Sequence, residues 1–233
     1  MLVIPPNPLY FPHPYNVDEH GIVAIGGQPD PNTLILSYTA GIFPWSNQDD
    51  PLLWWYTYPR LILYPSQVKV SKSMKQLIKK KTYRCTINTA FDQVITACQQ
   101  IARKDQEGTW LFDTLKESMI TLHHQGYTHS VEVWEGDELV GGLYGVSIGK
   151  IFCGESMFAH KSNTSKLALI YLCELLADLG FTLVDCQQET DHLVSMGAES
   201  VGGGTYMDLI RENAFEPRLY LKECLDGMSE IAE

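Results

Sequence analysis

No two of the six cysteines (Cys85, Cys98, Cys153, Cys173, Cys186 and Cys224) form a CxxC pair. Several lie in apolar runs, so the expectation is reduced, buried thiols in the cytosol rather than a disulfide framework. The N-terminus has neither a basic stretch nor a long apolar run, so neither a signal peptide nor a membrane span is expected. Internal repeats and low-complexity segments are absent, which argues against a repeat array or a disordered linker. Positive charge is scarce. Against 28 Asp and Glu stand 17 Lys and Arg, a net charge of -11. The surface as a whole should repel polyanions, and nucleic acid could bind only at a local basic patch.

At 233 residues, 45% hydrophobic and 19% charged, the chain can bury a real core as one large domain or two small ones. Residues 139–158 read as two extended runs around a turn at 147–150, where Gly149 suits a positive φ. Gly141 and Gly142 interrupt the first run, and an internal glycine pair marks a bulge or a close approach of ligand or backbone. Glu155 follows among apolar residues. A long helix is expected next, capped by Ser162 or Asn163 and ended by Gly180. Leu169, Leu172 and Leu176 form one stripe on it, either as core or as the wall of an apolar pocket. Residues 181–186 read as a strand whose period of two puts Leu183, Asp185 and Gln187 on one face. An acid at the end of an apolar strand needs partners, which makes Asp185 a candidate functional group against the alternative of a surface carboxylate.

Upstream, Asp30-Pro31 opens a helix to about Ala40. Residues 52–56 are strongly apolar and aromatic, residues 61–64 read as a strand, and a domain boundary falls near residue 61. Helices at 90–103 and 115–125 precede the hairpin. His123, His124 and His129 match no familiar ligand spacing, so no metal is expected. Residues 202–204, all glycine, read as a flexible loop before a last helix at 206–213. The outlier in charge is 68–84. It carries Lys69, Lys72, Lys75, Lys79, Lys80, Lys81 and Arg84 and no acid. A solvated helix face is the ordinary reading of such a run. In an otherwise acidic chain, phosphate binding is the stronger one.

Strand, hairpin, long helix, strand is the order found in N-acyltransferase folds. Those bind a CoA pyrophosphate in a glycine-containing loop at the start of the helix. The corresponding residues here, 158–165, contain no glycine, which disfavours a CoA-dependent acetyltransferase, the runner-up enzyme. Residues 154–158 lack the second glycine of a nucleophile elbow, which disfavours a serine hydrolase. A noncatalytic nucleic-acid-binding module is a third reading, and it leaves the acids and the apolar stripe without a purpose.

Over roughly residues 21–197 the chain resembles the leucyl/phenylalanyl-tRNA–protein transferases. The resemblance rests on Gly41-Ile42-Phe43-Pro44-Trp45, Leu53-Trp54-Trp55, Pro59-Arg60, Ser71 to Lys75, Glu107 to Trp110, His129 to Trp134, Leu139 to Gly142, Phe152 to Phe158, Asn163 to Lys166, and Asp185-Cys186-Gln187. It implies transfer of Leu or Phe, less often Met, from aminoacyl-tRNA to the N-terminal α-amine of proteins beginning with Lys or Arg. The product would be marked for N-degron-dependent degradation. It implies an α+β chain with a small N-terminal α/β domain, 1–61. The catalytic domain, 62–233, would be acyl-CoA N-acyltransferase-like, with a mixed central sheet flanked by helices. An aminoacyl ester is already activated, so no cofactor is needed, and a cytoplasmic monomer is expected.

Carried over residue by residue, the aminoacyl pocket would be Leu143, Phe152, Met157, Leu169, Leu172, Leu176 and Val184. Trp45 and Trp110 would place the terminal adenosine by stacking. Lys72, Lys75, Lys79, Lys80, Lys81 and Arg84 would hold the acceptor arm. Asp185, Gln187 and Glu155 match the polar centre. For Asp185 and Gln187 the favoured role is orientation of the incoming amine, and for Glu155 positioning of acceptor or substrate. Proton transfer through the tRNA ribose hydroxyl stays open. Two features depart from the family pattern. Val201-Gly202-Gly203 replaces an Ile-Pro-Arg-like run, and Leu172 and Leu176 stand where aromatics occur in relatives, which implies a roomier pocket.

Overall fold

The structure is a computed structural model that describes residues 2–14, 17–47, 50–101 and 111–215. Two sheets and seven α-helices make up the described residues. The first sheet has the order β1 (Leu2–Ile4), β2 (Ile22–Gly26), β4 (Leu53–Trp55), β3 (Phe43–Pro44). Helix α1 (Pro31–Thr39) connects β2 to β3, and Asp30 caps it by accepting from the backbone N–H groups of Asn32 and Thr33. Phe11 packs edge-on against Trp54 at 4.8 Å, so an aromatic anchors the N-terminal segment.

The second sheet has seven strands: β5 (Arg60–Leu63), β6 (Arg84–Ile87), β7 (Thr128–Glu135), β8 (Glu138–Ile148), β9 (Ile151–Ala159), β10 (Leu183–Gln187) and β11 (Glu199–Val201). Their order is β11-β5-β10-β9-β8-β7-β6. Helices α2 (Lys72–Lys79), α3 (Phe91–Gln100) and α4 (Asp113–His124) lie between β5 and β7 in sequence. Helix α5 (Thr164–Asp178) connects β9 to β10. These two strands are parallel while every other neighbouring pair in this sheet is antiparallel. A parallel pair needs a crossover connection, and α5 supplies it.

The glycine hairpin forms as expected, with Gly149 at φ 54 in its turn. Pairing between β7 and β8 shifts register beside Gly141. A Cβ on Gly141 would stand 2.3 Å from Thr164 Oγ1, so the glycine lets the first turn of α5 sit directly on the sheet. Leu169, Leu172 and Leu176 are all buried in the core beneath α5. A second core cluster joins Ala24 and Trp54 of the first sheet to Ile62, Tyr144 and Cys153 of the second. Cys98, Cys153 and Cys173 are buried thiols.

The glycine run departs from expectation. Gly202 is the N-cap of α7 (Gly203–Asn213), so Gly203 and Gly204 form its first turn rather than a loop. Tertiary contacts outweigh the poor helix propensity of glycine. The Tyr56 hydroxyl donates to the Gly203 carbonyl at 3.0 Å, and Tyr206 is fully buried. A short helix, α6 (Asp191–Ser195), precedes β11.

One buried carboxylate is explained by the fold alone. Glu132 is 0% exposed on β7. It accepts from the hydroxyls of Thr86, Thr89 and Ser130 at 2.6, 2.9 and 2.5 Å, and from the backbone N–H of Ala90 at 3.3 Å, where α3 begins. Acidic charge at a helix N-terminus is favourable, and α3 has no side-chain cap of its own. Glu132→Ala is expected to cost roughly 2 kcal/mol, because it strands the buried Ser130 hydroxyl and leaves the start of α3 without its cap. Denaturant unfolding of the variant would check this, and a loss below 1 kcal/mol would contradict the capping role.

Candidate active site

The polar centre of the site is built by two bulges on neighbouring strands. Strands β9 and β10 run in register at Cys153↔Asp185. Just beyond this pair, each strand loses step with its other neighbour. Between β8 and β9, Tyr144↔Ser156 is followed by Gly145↔Gly154, which leaves Glu155 without an opposite residue. Between β5 and β10, Asp185↔Ile62 is followed by Gln187↔Leu61, which leaves Cys186 without one. Bulges re-aim side chains and recur beside active sites. Here they bring Glu155 and Gln187 together, with Gln187 Nε2 donating to Glu155 Oε1 at 3.0 Å.

The backbone of Gln187 is in the left-handed region at φ 62, uncommon for a side chain of this kind. Its own N–H donates to Asp185 Oδ1 at 3.0 Å and holds the turn. Asp185 is 1% exposed and does not face the pocket. Its Oδ1 also accepts from Arg60 Nε at 2.8 Å. Its Oδ2 accepts from Arg60 Nη2 and from the Tyr206 hydroxyl, each at 2.7 Å. Arg60, also 1% exposed, lies over the rings of Tyr206 and Phe43 at 4.5 and 4.9 Å. Burial lowers the guanidinium pKa, but Asp185 more than restores it, so Arg60 stays charged. A forked, planar, stacked pair of this kind is what arginine forms and lysine does not.

The bulge in β10 therefore corrects one expectation. Leu183, Asp185 and Gln187 do not share a functional face. Val184 and Cys186 line the pocket, Asp185 points away from it, and Gln187 reaches it only because of the bulge. Asp185 touches the site through Gln187. Arg60 and Tyr206 complete that support and were not singled out from sequence. Each partner is remote in sequence from Asp185, so no spacing rule connects them.

The pocket itself has a volume of about 450 Å³, within the usual range for small-ligand sites. Leu143, Phe152, Met157, Leu169, Leu172 and Val184 line it, as does Trp45. Met157 shares a wall with Phe152 only because the bulge at Glu155 resets the alternation of β9. Leu176 is fully buried in the core behind this wall and is not part of the lining. His192 and Leu193 line the opposite side and were not anticipated as site residues. Trp45 packs against Trp55 at 5.4 Å, and its carbonyl accepts from Trp55 Nε1. Trp110 lies outside the described residues.

Glu155 is the acid that opens into this cavity. Burial pushes its pKa up to about 7, against the opposing pull of its hydrogen bond from Gln187. The Tyr38 hydroxyl is buried and feels the same carboxylate, but its geometry completes no hydrogen bond. Among the described residues no cluster of His, Cys, Asp and Glu is arranged to hold a metal ion. His123 stacks on Phe91 at 4.2 Å and bonds the Thr128 carbonyl, and His129 meets Asn88.

The basic segment forms α2, with Ser71 as its N-cap through Met74 N–H. Lys72, Lys75, Lys79, Lys80, Lys81 and Arg84 are exposed, and no acid lies within ion-pair distance of them among the described residues. Arg84 lies over the ring of Trp134 at 5.4 Å. The segment is tied to the pocket. Lys69 N–H donates to the carbonyl of Met196 at 2.8 Å, at the end of the short helix that carries His192. No described helix is long and apolar enough to cross a membrane.

Comparison with known proteins places this geometry. A family model described as leucyl/phenylalanyl-tRNA protein transferase matches residues 62–211, and a model of that family's N-terminal domain matches residues 27–57. A protein named leucyl/phenylalanyl-tRNA–protein transferase from Syntrophus aciditrophicus is 47% identical over 201 residues, covering 86% of this chain and 84% of its own. One so named from Flavobacterium johnsoniae is 44% identical, over 87% of this chain and 96% of its own. One from Syntrophobacter fumaroxidans is 42% identical, over 95% and 94%. The longer matched segment contains Glu155, Asp185 and Gln187, and the likeness to these relatives runs through most of the chain. The chain therefore belongs to the leucyl/phenylalanyl-tRNA protein transferase family.

Proposed function

We propose that this enzyme moves Leu or Phe, and less often Met, from aminoacyl-tRNA to the N-terminal α-amine of proteins beginning with Lys or Arg, marking them for N-degron-dependent degradation in the cytoplasm. The observation that carries this reading is the Glu155–Gln187 pair, which opens into an apolar pocket beside a lysine-rich helix. An apolar cavity suits a greasy aminoacyl side chain. A concentrated cation surface on a chain of net charge -11 suits an RNA backbone. Trp45 at the pocket wall, with Trp110, would stack on the terminal adenosine. In the same reading residues 62–233 form an acyl-CoA N-acyltransferase-like catalytic domain, supported by the β9–α5–β10 crossover, and residues 1–61 form a small N-terminal domain that shares a core with it, its last two residues already part of β5.

In the reaction, the acceptor's α-amine nitrogen attacks the ester carbonyl carbon. The C–N bond forms, and the bond from that carbon to the ribose oxygen breaks. The nitrogen gives its proton to the Glu155 carboxylate, and Glu155 passes that proton to the ribose oxygen, which leaves as a hydroxyl and restores the carboxylate. A carboxylate with a pKa of about 7 is matched to proton transfer near neutrality. Gln187 orients Glu155 and the amine, and Asp185, anchored by Arg60, holds Gln187 in its left-handed turn. Neither ATP nor CoA enters the balance.

The test is transfer of radiolabelled leucine from leucyl-tRNA, with no cofactor added, to one protein with N-terminal Arg and another with N-terminal Ala. Label on the Arg protein alone is expected. Label on neither, with the charged tRNA intact, would overturn the proposal. Label on both would overturn the acceptor rule.

A further inference from the structure

The apolar wall of the pocket ends in a cation. Leu169 and Leu172 line the cavity from α5, and Lys166 stands one turn before Leu169 on the same side of the helix. Across from it is His192, which also lines the cavity. The His192 ring is half-buried, and its Nε2 is buried without a hydrogen-bond partner. Burial and the nearby Lys166 charge both lower the imidazole pKa, which keeps the ring neutral beside the ammonium. Lys166 is itself half-buried. No acid lies within ion-pair distance of it among the described residues, neither Glu189 nor Asp191 before and at the start of α6 included. A half-buried lysine without a counter-ion, one helical turn beyond the lining of a substrate pocket, calls for an anion from the ligand.

We propose that Lys166, seated against His192 at the pocket rim, binds the phosphodiester on the 5′ side of the terminal adenosine of aminoacyl-tRNA. The inference rests on the aminoacyl-tRNA reading of the pocket. With the amino-acid side chain among Leu143, Phe152 and Leu169 and the ester at Glu155, the ribose lies at the mouth. The first negative charge on the substrate is then the phosphate one ribose further out. The lysines of α2 serve the rest of the backbone. Lys166 alone among the described lysines shares a helix face with the pocket lining. His192 is a positioning residue, whose ring fixes the direction of the lysine stem.

The experiment uses two donors: leucyl-tRNA, and a 3′-leucyl-adenosine that carries no phosphate. Lys166→Met is expected to raise KM for leucyl-tRNA about tenfold with kcat little changed. It should leave KM for leucyl-adenosine unaltered. The slope of log(kcat/KM) against log salt for leucyl-tRNA should fall by about 0.7, one phosphate contact on a single strand. Lys166→Arg should restore most of the loss, and His192→Ala, which also alters the pocket lining, should raise KM more for leucyl-tRNA than for leucyl-adenosine. An equal loss on both donors, or no loss on either, would overturn the inference while wild-type transfer from leucyl-tRNA still upheld the function. Absence of wild-type transfer from leucyl-tRNA would overturn both. Thermal unfolding of Lys166→Met should match wild type, since the side chain is only half-buried and supports no described contact.

Discussion

Glu155→Gln is expected to lower kcat by at least about 100-fold, the usual contribution of a positioned proton acceptor. The amide keeps the size of the carboxyl group and its contact with Gln187 but cannot take a proton. The pH profile makes the prediction specific. Wild-type kcat should rise as Glu155 ionises around pH 7, where burial has placed it. The Gln variant should show no such inflection. The acceptor's own α-amine also titrates near pH 8, but it does so alike in both enzymes and cancels in the comparison. An inflection near pH 7 that survives in the variant, or a rate within threefold of wild type, would remove Glu155 from the proton path.

The same residue makes an opposite prediction for stability. Its folded pKa, about 7, lies above the ordinary 4.5. Between these values the folded protein holds a proton that the unfolded chain releases. Stability from this group is therefore fully present below pH 4.5 and is lost as pH rises through about 7. Glu155→Gln should be more stable than wild type at pH 8, by roughly 2 kcal/mol once water in the pocket is allowed for. A variant that gains stability while losing turnover is the signature of a residue kept in a costly environment for its chemistry.

Arg60→Ala should produce the largest loss of stability, about 3–5 kcal/mol. It leaves the Asp185 carboxylate 1% exposed with no cation to balance it and removes a guanidinium packed among Phe43, Tyr56 and Tyr206. In a chain of this size the melting temperature should fall by about 10 °C. Arg60→Lys should cost less but still more than 1 kcal/mol, because it keeps the charge and loses the fork and the stacking. Arg60→Met combined with Asp185→Leu separates the two roles of the pair. Replacing both charges with apolar groups should recover much of the stability, since a buried ion pair is a weak net stabiliser. It should not recover activity, because Gln187 N–H then has no acceptor to hold its left-handed turn. A double variant with wild-type turnover would show that Asp185 serves the fold and not the site.

Local pattern made much of this legible. The glycine turn and its flanking apolar runs defined the β8–β9 hairpin, and Asp30-Pro31 marked the start of α1, because turns and caps obey short-range rules. Six of the seven pocket residues named from the family resemblance line one cavity. Leu176 does not, because the leucine stripe of α5 is wider than the pocket, and its far end faces core. The run of three glycines read as a loop because propensity is local, whereas Tyr206 and Tyr56 fix that turn from elsewhere in the chain.

By itself the sequence determined the β8–β9 hairpin and the long helix after it, the cation-rich helix in an acidic chain, and the family. Only the tertiary structure decided how the acids divide the work. Strict alternation would put Asp185 and Gln187 on one face and Phe152 and Met157 on opposite ones. Two bulges, set one beside the other by the parallel pairing of β9 and β10, reverse both relations. A bulge is a mismatch between two strands and not a property of either. Its position, and with it the assignment of Asp185 to Arg60 and of Glu155 to the pocket, exists only once the strands are paired.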